Sequence, residues 1–262
     1  ISNPEALAVR LSDRHFGIGG DGIILVCPSK VADAKMKMYN LDGSEGKMCG
    51  NGIRCVGKFL YDHGMVDINE KDEITIETLS GIKKLKAYTS GGKVNRLRVD
   101  MGKAILEPKE IPVVLDGDKV VDRPVEIAGK NYNITCVSMG NPHCVVFMDD
   151  IDNLDIETVG PEFENDKLFP ERVNTEFVTV LDDHTIKMRV WERGSGETWA
   201  CGTGACAVAV AACENGFCKK GEDIKIKLKG GDLIINYTDE TVYMSGNAEK
   251  VFEGEVEVLS WR

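Results

Sequence analysis

Two short segments of the sequence each place a cysteine directly before a glycine-rich turn. Cys49 begins "CGNG" and Cys201 begins "CGTG", and a segment with helical character follows each. A cysteine at the start of a helix lies at the positive end of the helix dipole, beside backbone N–H groups that lack intrahelical partners. Both effects favour the thiolate over the thiol. The spacing therefore predicts two reactive thiols, next to N–H groups that could bind a carboxylate or phosphate.

The two cysteine segments belong to an internal duplication with an offset of 152 residues. "KMKMY" (35–39) matches "KMRVW" (187–191), and Gly64 matches Gly216. Beyond the helices, "EITIETLSG" (73–81) aligns with "DIKIKLKGG" (223–231) after a small shift. Self-similarity of this kind indicates two homologous halves.

Each half is predicted to contain a strand, the glycine-rich turn, a helix and further strands. "KMKMY" and "IKMRVW" alternate with the period of two that is typical of half-buried strands. Gly64 ends the first helix, and residues 205–213 are so apolar that the second helix should be buried on all sides. The first helix is predicted to have one apolar face, formed by Ile53, Val56, Phe59 and Leu60. Further strands are predicted at 96–101, 144–148, 176–180 and 254–259.

The boundary between the halves is predicted from proline and from the end of the second repeat. "LEPKEIP" (106–112) is flanked by prolines and is expected to be the crossing between them. The N-terminal half is then 1–108, with a return strand within 248–262, and the C-terminal half is 109–247.

A pair of cysteines related by duplication suggests a particular reaction. One such site alone would indicate a thiol nucleophile or an anion-binding loop. If the halves pack about a pseudo-twofold axis, Cys49 and Cys201 would face each other across a cleft. A thiolate could then remove a proton from one side of a carbon while a thiol delivers a proton from the other. N–H groups from both helix ends would stabilise the negative charge that develops on a substrate carboxylate.

Composition restricts the class of protein. The chain has 262 residues, 42% of them hydrophobic, and a formal net charge of −11. This charge gives no general attraction for nucleic acid or an anionic membrane, and neither a signal peptide nor a membrane-spanning run is visible. Nine cysteines in a chain of this size indicate reduced thiols. We therefore expect a cytoplasmic protein with a small-molecule partner.

The other cysteines have simpler interpretations. A buried cysteine often acts as a small hydrophobic residue. A zinc site is conceivable, but the spacing within each half is wider than the usual zinc knuckle or only marginally suits it, and the interposed glycines suit a ligand loop better. Packing is therefore expected for seven of them: Cys27, Cys55, Cys136, Cys144, Cys206, Cys213 and Cys218.

Several longer motifs resemble the diaminopimelate epimerase family, cofactor-independent enzymes of the lysine and peptidoglycan-precursor pathway. They occur in the family's order: "RHFGIGGDGIILV" (14–26), "NLDGSEGKMCGNGIRC" (40–55), "VSMGNPHCVVF" (137–147), "RVNTEF" (172–177) and "WERGSGETWACGTGA" (191–205). The related proline racemases share the duplicated fold and the cysteine pair, but Asn51 and the pair Glu192-Arg193 resemble the epimerases. The resemblance implies an α/β (α+β) fold of two pseudo-symmetric halves. Each would be a curled mixed β-sheet or barrel around a central helix, with the active site in the cleft between them.

The resemblance also implies roles for individual residues. Cys49 and Cys201 would be the acid and base, assisted by His143 and Glu192. A diamino dicarboxylate, interconverted between its LL and meso forms, would be bound by Asn40, Gly50, Asn51, Asn141, Asn174, Glu192, Arg193, Gly202 and Thr203. The resemblance implies no cofactor, no metal and a homodimer. The alternative is a racemase or isomerase of the same fold that acts on another carboxylate, such as proline or hydroxyproline.

The chemistry of these side chains agrees with such a substrate, although each has a simpler interpretation. Arg193 supplies a forked donor for a carboxylate, and amides offer both donors and acceptors. Yet Asn40 is also a good turn former, and "GNPH" (140–143) could be a turn with a hydrogen-bonded histidine. Arg193 could instead pair with Glu192 or Glu197 at the surface.

Members of the family begin with an additional strand and a segment of the type H-G-x-G-N-D-F, whose asparagine also contacts substrate. The printed sequence starts after that point. We therefore expect it to be a piece of a longer chain whose complete site includes that segment.

Overall fold

The computed structural model describes residues 1–68 and 73–257, and the chain forms two compact units. The N-terminal unit comprises Ile1–Val99 with Asn247–Arg262, and the C-terminal unit comprises Asp100–Gly246. Each unit holds one copy of the duplicated sequence.

The N-terminal unit combines two helices with a mixed sheet. Strand β2 pairs antiparallel with β1 and with the short β3, and parallel with β4. Strands β4, β5 and β6 then continue as antiparallel neighbours. The elements, in chain order, are α1 (Pro4–Ser12), β1 (Gly22–Cys27), β2 (Ala34–Asn40), β3 (Glu45–Gly46), α2 (Gly50–Asp62), β4 (Ile74–Thr78), β5 (Gly81–Ser90) and β6 (Lys93–Asp100).

The C-terminal unit repeats this arrangement and extends it. After a short 3₁₀ turn, Pro108–Glu110, it contains β7 (Arg123–Ile127), β8 (Lys130–Ser138), β9 (Pro142–Phe147), α3 (Ile156–Glu164), β10 (Asn174–Asp182), β11 (Thr185–Glu192), β12 (Gly196–Thr198), α4 (Gly202–Glu214), β13 (Asp223–Leu228), β14 (Gly231–Tyr237) and β15 (Val242–Gly246). Strand β11 pairs antiparallel with β10 and β12 and parallel with β13, as β2 does with its neighbours. Strands β14 and β15 follow β13 in antiparallel order. Strand β10 also pairs in parallel with β9, which leads to β8 and β7.

These pairings confirm the predicted fold class, since each unit is a mixed sheet built on one copy of the repeat. Helix α2 spans Gly50–Asp62 and α4 spans Gly202–Glu214, so the two helices coincide at the offset of 152 residues. Gly64 follows α2 with φ 65°, the left-handed conformation typical of a glycine that ends a helix.

Helix α4 is the centre of the C-terminal unit. It contacts strands on every side, namely β8, β9, β10, β13, β14 and β15. Its residues from Ala205 to Ala212 are fully buried, as the continuous run of Ala, Val and Cys predicts. The small side chains allow these strands to approach the helix axis, and the N-terminus of α4 is thereby held rigidly.

A second apolar layer covers the strands on the side of α3. Phe163 of α3 contacts Tyr132 and Phe177, with ring centroids 4.9 and 5.4 Å apart in edge-to-face geometry. Cys136 and Cys144, opposite each other on β8 and β9, belong to this layer and are fully buried. Both faces of β9 and of the first half of β10 are covered, so residues 142–146 and 174–178 are all buried.

All nine cysteines are free thiols. The packing role predicted for the seven cysteines other than Cys49 and Cys201 holds for most of them. Cys136, Cys144, Cys206 and Cys218 are buried, whereas Cys27 and Cys213 are partly buried. The prediction is wrong for Cys55, which is exposed. It lies on the side of α2 that lines an open cavity, together with residues of β1 and β2. Phe59 lines the same cavity.

The structure corrects two predicted segments. Residues 106–112 are no crossing, because Ile105 pairs with Ser138 and Ile111 packs in the layer on α3, so the segment belongs wholly to the C-terminal unit. The units instead meet in sequence at Val99/Asp100 and at Gly246/Asn247, not at 108/109 and 247/248. The return strand does not form over residues 254–257, and positions 258 and 259 lie outside the described residues.

The helices are short. The longest, α2 and α4, have 13 residues each. A membrane-spanning helix needs about 20 apolar residues. Across residues 1–68 and 73–257, no helix is long and apolar enough to cross a membrane.

Candidate active site

Cys49 and Cys201 are the N-cap residues of α2 and α4. Their backbones are extended, with φ/ψ of −130°/118° and −117°/111°. The N–H of Gly52 donates to Cys49 Sγ over 3.3 Å, and the N–H of Gly204 donates to Cys201 Sγ over 3.4 Å. Each sulfur therefore occupies the place that a serine or aspartate oxygen usually takes at a helix start. This confirms the prediction that both cysteines begin helices.

The glycine two positions after "Cys-Gly" is required by close packing in both units. A Cβ at Gly52 would lie 2.4 Å from Ile24 Cδ1, and a Cβ at Gly204 would lie 2.6 Å from Glu176 Oε1. A side chain at either position would require Ile24 or Glu176 to move. The glycines therefore let the first turn of each helix approach a strand, with the sulfur at its tip.

Cys201 is buried, with only 6% of its surface exposed. Burial raises the pKa of its thiol well above the ordinary value, and the carboxylates of Glu192 and Glu176 raise it further. Hydrogen bonds from Thr203 and the Gly204 N–H act in the opposite direction but are weaker. The prediction of a lowered pKa is therefore wrong for Cys201, because desolvation outweighs the helix end. The raised pKa favours the thiol form of Cys201 over the thiolate.

A chain of hydrogen bonds connects Cys201 with Asn141 and His143. Cys201 Sγ lies 3.5 Å from Thr203 Oγ1, which accepts from Asn141 Nδ2 over 3.3 Å. Asn141 Oδ1 in turn lies 3.1 Å from His143 Nε2. The turn after β8, the start of β9 and the start of α4 supply these side chains. The structure thus brings together four of the residues predicted for the site.

The inner end of this chain is Glu176, which the sequence analysis does not identify. His143 Nδ1 lies 2.7 Å from Glu176 Oε1, and both side chains are fully buried. Both ring nitrogens of His143 therefore have partners other than a sulfur, and His143 is connected to the Cys201 thiol only through Asn141 and Thr203. A carboxylate within the apolar strand "EFVTV" was the available signal, because a buried charge needs a partner.

Asn174, Glu192 and Arg193 form a second group in the C-terminal unit. Asn174 Nδ2 donates to the carbonyl of Pro142, and Asn174 Oδ1 accepts from the N–H of Arg193. The guanidinium of Arg193 donates to the carbonyl of Glu171, while Glu192 accepts a hydrogen bond from Thr198. The alternative pairing of Arg193 with Glu192 or Glu197 is thus wrong, since both carboxylates bond to other groups.

Trp191, just before this group, is held by α3. Gly160 allows the ring to lie against the helix, where an added Cβ would come within 2.3 Å of the indole. The indole N–H donates to Glu164 Oε2 over 2.7 Å. Helix α3 therefore fixes the end of β11 from which Glu192 and Arg193 project.

The N-terminal unit holds Asn40, Gly50 and Asn51 around Cys49. Asn40 Nδ2 donates to Ser44 Oγ, which agrees with its interpretation as a turn residue. Arg54, not identified from the sequence, donates to Asn51 Oδ1 and to the carbonyl of Gly50 over 3.1 and 3.2 Å. Its Nε reaches the carbonyl of Asn247. This buried arginine therefore ties the Cys49 turn to the C-terminal segment of the unit.

Each unit thus gathers its own share of the predicted residues around its own cysteine. The N-terminal unit supplies Cys49, Gly50, Asn51 and Asn40, and the C-terminal unit supplies the remainder. Within the described parts of the chain, no three His, Cys, Asp or Glu side chains are arranged to hold a metal ion.

Known proteins resemble this chain over nearly its whole length. A family model described as diaminopimelate epimerase matches residues 2–107 and 135–251. The diaminopimelate epimerase of Acetivibrio thermocellus is 53% identical over 98% of this chain and 91% of its own length. That of Methanococcus maripaludis strain S2 is 51% identical over 98% of this chain and 92% of its own length.

Solved structures share the fold at low sequence identity. A probable proline racemase from Agrobacterium radiobacter has a TM-score of 0.73 at 17% identity, covering 97% of this chain and 81% of its own. A hydroxyproline epimerase from Agrobacterium vitis has a TM-score of 0.68 at 15% identity, covering 94% and 78%. At such identities the likeness concerns the fold alone, whereas the sequence matches specify the family. The chain belongs to the diaminopimelate epimerase family.

Proposed function

We propose that this protein interconverts LL- and meso-diaminopimelate by transferring protons at one α-carbon. The observation that carries the proposal is the sulfur cap: a cysteine begins the central helix in both copies of the repeat, within a chain that belongs to the diaminopimelate epimerase family. A protein that only binds an anion at helix ends would not need a thiol at each. Removing a proton from one face of a carbon and returning one to the other uses an acid/base group on each face, and two thiols can supply both.

In the proposed reaction, Cys49 and Cys201 exchange roles with direction. In one direction the Cys49 thiolate accepts the α-proton, and the electron pair of the broken C–H bond moves towards the substrate carboxylate. The Cys201 thiol then delivers its proton to the opposite face and becomes a thiolate. The reverse reaction starts with the Cys201 thiolate. The raised pKa of Cys201 supports its resting role as the acid.

The charge that develops on the carboxylate needs donors already in place. The first turns of α2 and α4, at Gly50-Asn51 and Gly202-Thr203, present backbone N–H groups at the positive ends of their helices. We infer that they bind the reacting carboxylate. This chemistry comes entirely from the chain's own groups, so we propose that no cofactor or metal takes part.

The rest of a diamino dicarboxylate would be held by Asn40, Asn141, Asn174, Glu192 and Arg193. Arg193 offers a carboxylate-binding fork, and Glu192 offers a negative charge to an ammonium group. Asn174 supports this role indirectly, since its side chain holds the backbone of Arg193. A racemase acting on proline would have no second carboxylate for Arg193 to bind.

Incubation with LL-diaminopimelate in D₂O tests the proposal. We expect deuterium at one α-carbon and conversion towards the meso isomer, followed by mass spectrometry and chiral chromatography. L-Proline and trans-4-hydroxy-L-proline serve as comparison substrates, and exchange with either of them but not with diaminopimelate would establish the racemase alternative. Binding of diaminopimelate without exchange of its α-hydrogen would show that the protein is a binding protein and not an epimerase.

We also propose that the protein acts in the cytoplasm as a homodimer. The nine free thiols agree with a reducing compartment. The homodimer follows from the family resemblance, and light scattering coupled to size-exclusion chromatography tests it.

A further inference from the structure

Glu176 and His143 form an isolated pair of ionisable groups in the interior of the C-terminal unit. Both side chains are fully buried, and Nδ1 and Oε1 lie 2.7 Å apart. The second carboxyl oxygen, Glu176 Oε2, is buried and accepts no hydrogen bond from the described residues. A carboxylate in such a place is costly unless a proton is shared with its partner.

The hydrogen bonds that lead from this pair have one direction. Asn141 Nδ2 donates to Thr203 Oγ1, so Asn141 Oδ1 faces His143 and accepts from Nε2–H. When Cys201 is a thiolate it has no proton to donate, so the Thr203 hydroxyl donates to Cys201 Sγ, 3.5 Å away. Every donor from His143 onwards therefore points towards the sulfur. Hydrogen bonds aligned in this way strengthen one another.

The direction of these hydrogen bonds determines how many protons His143 and Glu176 hold together. Nε2 carries a proton for Asn141, and the short contact between Nδ1 and Oε1 holds another. With two protons the pair has no net charge, wherever the second proton resides. The reversed amide would leave one proton and a net negative charge, and burial opposes that charge.

Ionisable groups on neighbouring elements also disfavour a net negative charge on the pair of Glu176 and His143. Glu192 on β11 is negative, and Cys201 at the start of α4 becomes negative in one direction of the reaction. Cys144 on β9 is a buried thiol. On α3, Glu164 is already bonded to Arg172 and Trp191. His143 is thus the group that offsets the charge of Glu176.

We propose that Glu176 is a positioning residue: it holds His143 with Nε2–H towards Asn141 and thereby directs the hydroxyl of Thr203 at Cys201. Glu176 does not touch the thiol itself. The chain stabilises the Cys201 thiolate when that residue acts as the base. Its kinetic consequences rest on the proposed function, but its effect on the thiol does not.

Two variants separate this role from simple packing. Glu176→Leu removes the partner of Nδ1, while Glu176→Gln keeps a hydrogen bond to His143. In Glu176→Leu we expect kcat to fall about tenfold, with KM changed less than about threefold, since one hydrogen bond is lost away from the substrate. Glu176→Gln should retain most of kcat. A Glu176→Gln variant that is folded but as slow as Glu176→Leu would overturn the proposal.

The protonation state of the Cys201 thiol can be measured without any substrate. Iodoacetamide is applied across a pH series, and mass spectrometry follows the modification of Cys201 and Cys49 separately. Both variants lack the carboxylate that raises the pKa of Cys201, and only Glu176→Gln keeps a hydrogen bond to His143. The Cys201 profile in Glu176→Leu should therefore lie about one pH unit above that in Glu176→Gln, which is a tenfold loss of thiolate at a given pH. The profile of Cys49 should not change. Glu214→Gln, which removes a partly buried carboxylate at the other end of α4, serves as the control. Equal Cys201 profiles in folded Glu176→Leu and Glu176→Gln proteins would show a packing role only.

Nitrogen NMR of the wild-type protein tests the direction even if Glu176→Leu does not fold. The histidine ring signals should show a proton on Nε2 of His143, as the hydrogen bond to Asn141 Oδ1 requires. A bare Nε2, with the proton on Nδ1 alone, would reverse the chain and overturn the proposal. If the wild type shows this proton but no epimerisation, the proposed function fails while the positioning role stands.

Discussion

Helices α2 and α4 begin alike but are surrounded differently. Both start with a cysteine whose sulfur accepts the N–H three residues later. Helix α4 is then buried on all sides by six strands. Helix α2 packs on its sheet with one face and turns Cys55 and Phe59 towards an open cavity of about 880 Å³. At equivalent positions of the repeat, α2 has Phe59 where α4 has Ala211, and Arg54 where α4 has Cys206.

The difference shows that duplication preserved the backbone geometry of the thiol but not its surroundings. Cys201 ends a chain of polar groups in a desolvated interior, next to two carboxylates that raise its pKa. Cys49 is half-buried, and Arg54 fixes the turn that follows it. A two-base reaction needs one protonated and one deprotonated group at its start, and unlike surroundings can provide both from one residue type.

The largest expected effect is the loss of either thiol. Cys49→Ala and Cys201→Ala should each lower kcat for epimerisation by about 10²–10⁴-fold. Each substitution removes a group that acts as the acid in one direction of the proposed reaction and as the base in the other. The measurement is the initial rate of inversion of LL-diaminopimelate. Cys55→Ala and Cys136→Ala, which remove thiols outside the site, should keep kcat within about threefold of wild type. Full activity without either capping sulfur would break the comparison between the copies.

Exchanging equivalent residues tests the packing difference. Ala211→Phe forces a ring into the fully buried α4 and should cost about 1–3 kcal/mol of unfolding free energy. Phe59→Ala, the converse change in α2, should cost about 1 kcal/mol, because the side chain is 39% exposed. Urea denaturation measures both. Equal costs would show that the two helices are packed alike.

The charge of Glu192 is expected to change the thiolate content of Cys201 by up to about tenfold, one pKa unit. Glu192→Gln removes a negative charge that raises the pKa of Cys201, so that pKa should fall and alkylation at pH 8 should accelerate. Cys49 in the same sample is the internal reference. Glu197→Gln, in the same hairpin but bonded to Arg189 and Lys229, should leave the rate unchanged. A slower reaction of Cys201 in Glu192→Gln would contradict this origin of the shift.

The smallest expected effect is a loss of stability at high pH from the C-terminal end of α4. Burial raises the pKa of Cys213 to about 12 and that of Cys218 to about 11 from an ordinary 9.0. Above pH 9 the unfolded chain loses protons that the folded chain keeps, so the unfolding free energy should decrease as pH rises towards 11. Urea denaturation at pH 8, 9 and 10, with reductant, measures the decrease. It should be smaller in Cys213→Ala, and a parallel decrease in that variant would refute the assignment.

Much of the fold could be predicted from the sequence because the same pattern of residues occurs twice in it. The strands around "KMKMY" and "KMRVW", the sulfur at each helix start and the glycine at the end of α2 depend on local chemistry that short segments contain. The burial of α4 on all sides follows from its Ala-rich composition alone.

What the sequence did not reveal depends on contacts between distant segments. Glu176 lies 33 residues from His143, and Arg54 lies 193 residues from Asn247, so neither pairing leaves a local pattern. The pKa of Cys201 was predicted in the wrong direction because the helix end is local and desolvation is not. The segment 106–112 looked like a linker because its prolines are visible, whereas the layer that buries Ile111 is not.

The sulfur caps also give each helix a built-in probe of charge. A thiolate accepts a stronger hydrogen bond than a thiol, so the first turn of a helix should tighten when its cysteine loses a proton. The amide protons of Gly52 and Gly204 point at the two sulfurs, one in each unit. Their chemical shifts and exchange rates should therefore follow the two ionisations separately. Two glycine signals in one spectrum would show which thiol holds the proton at each pH.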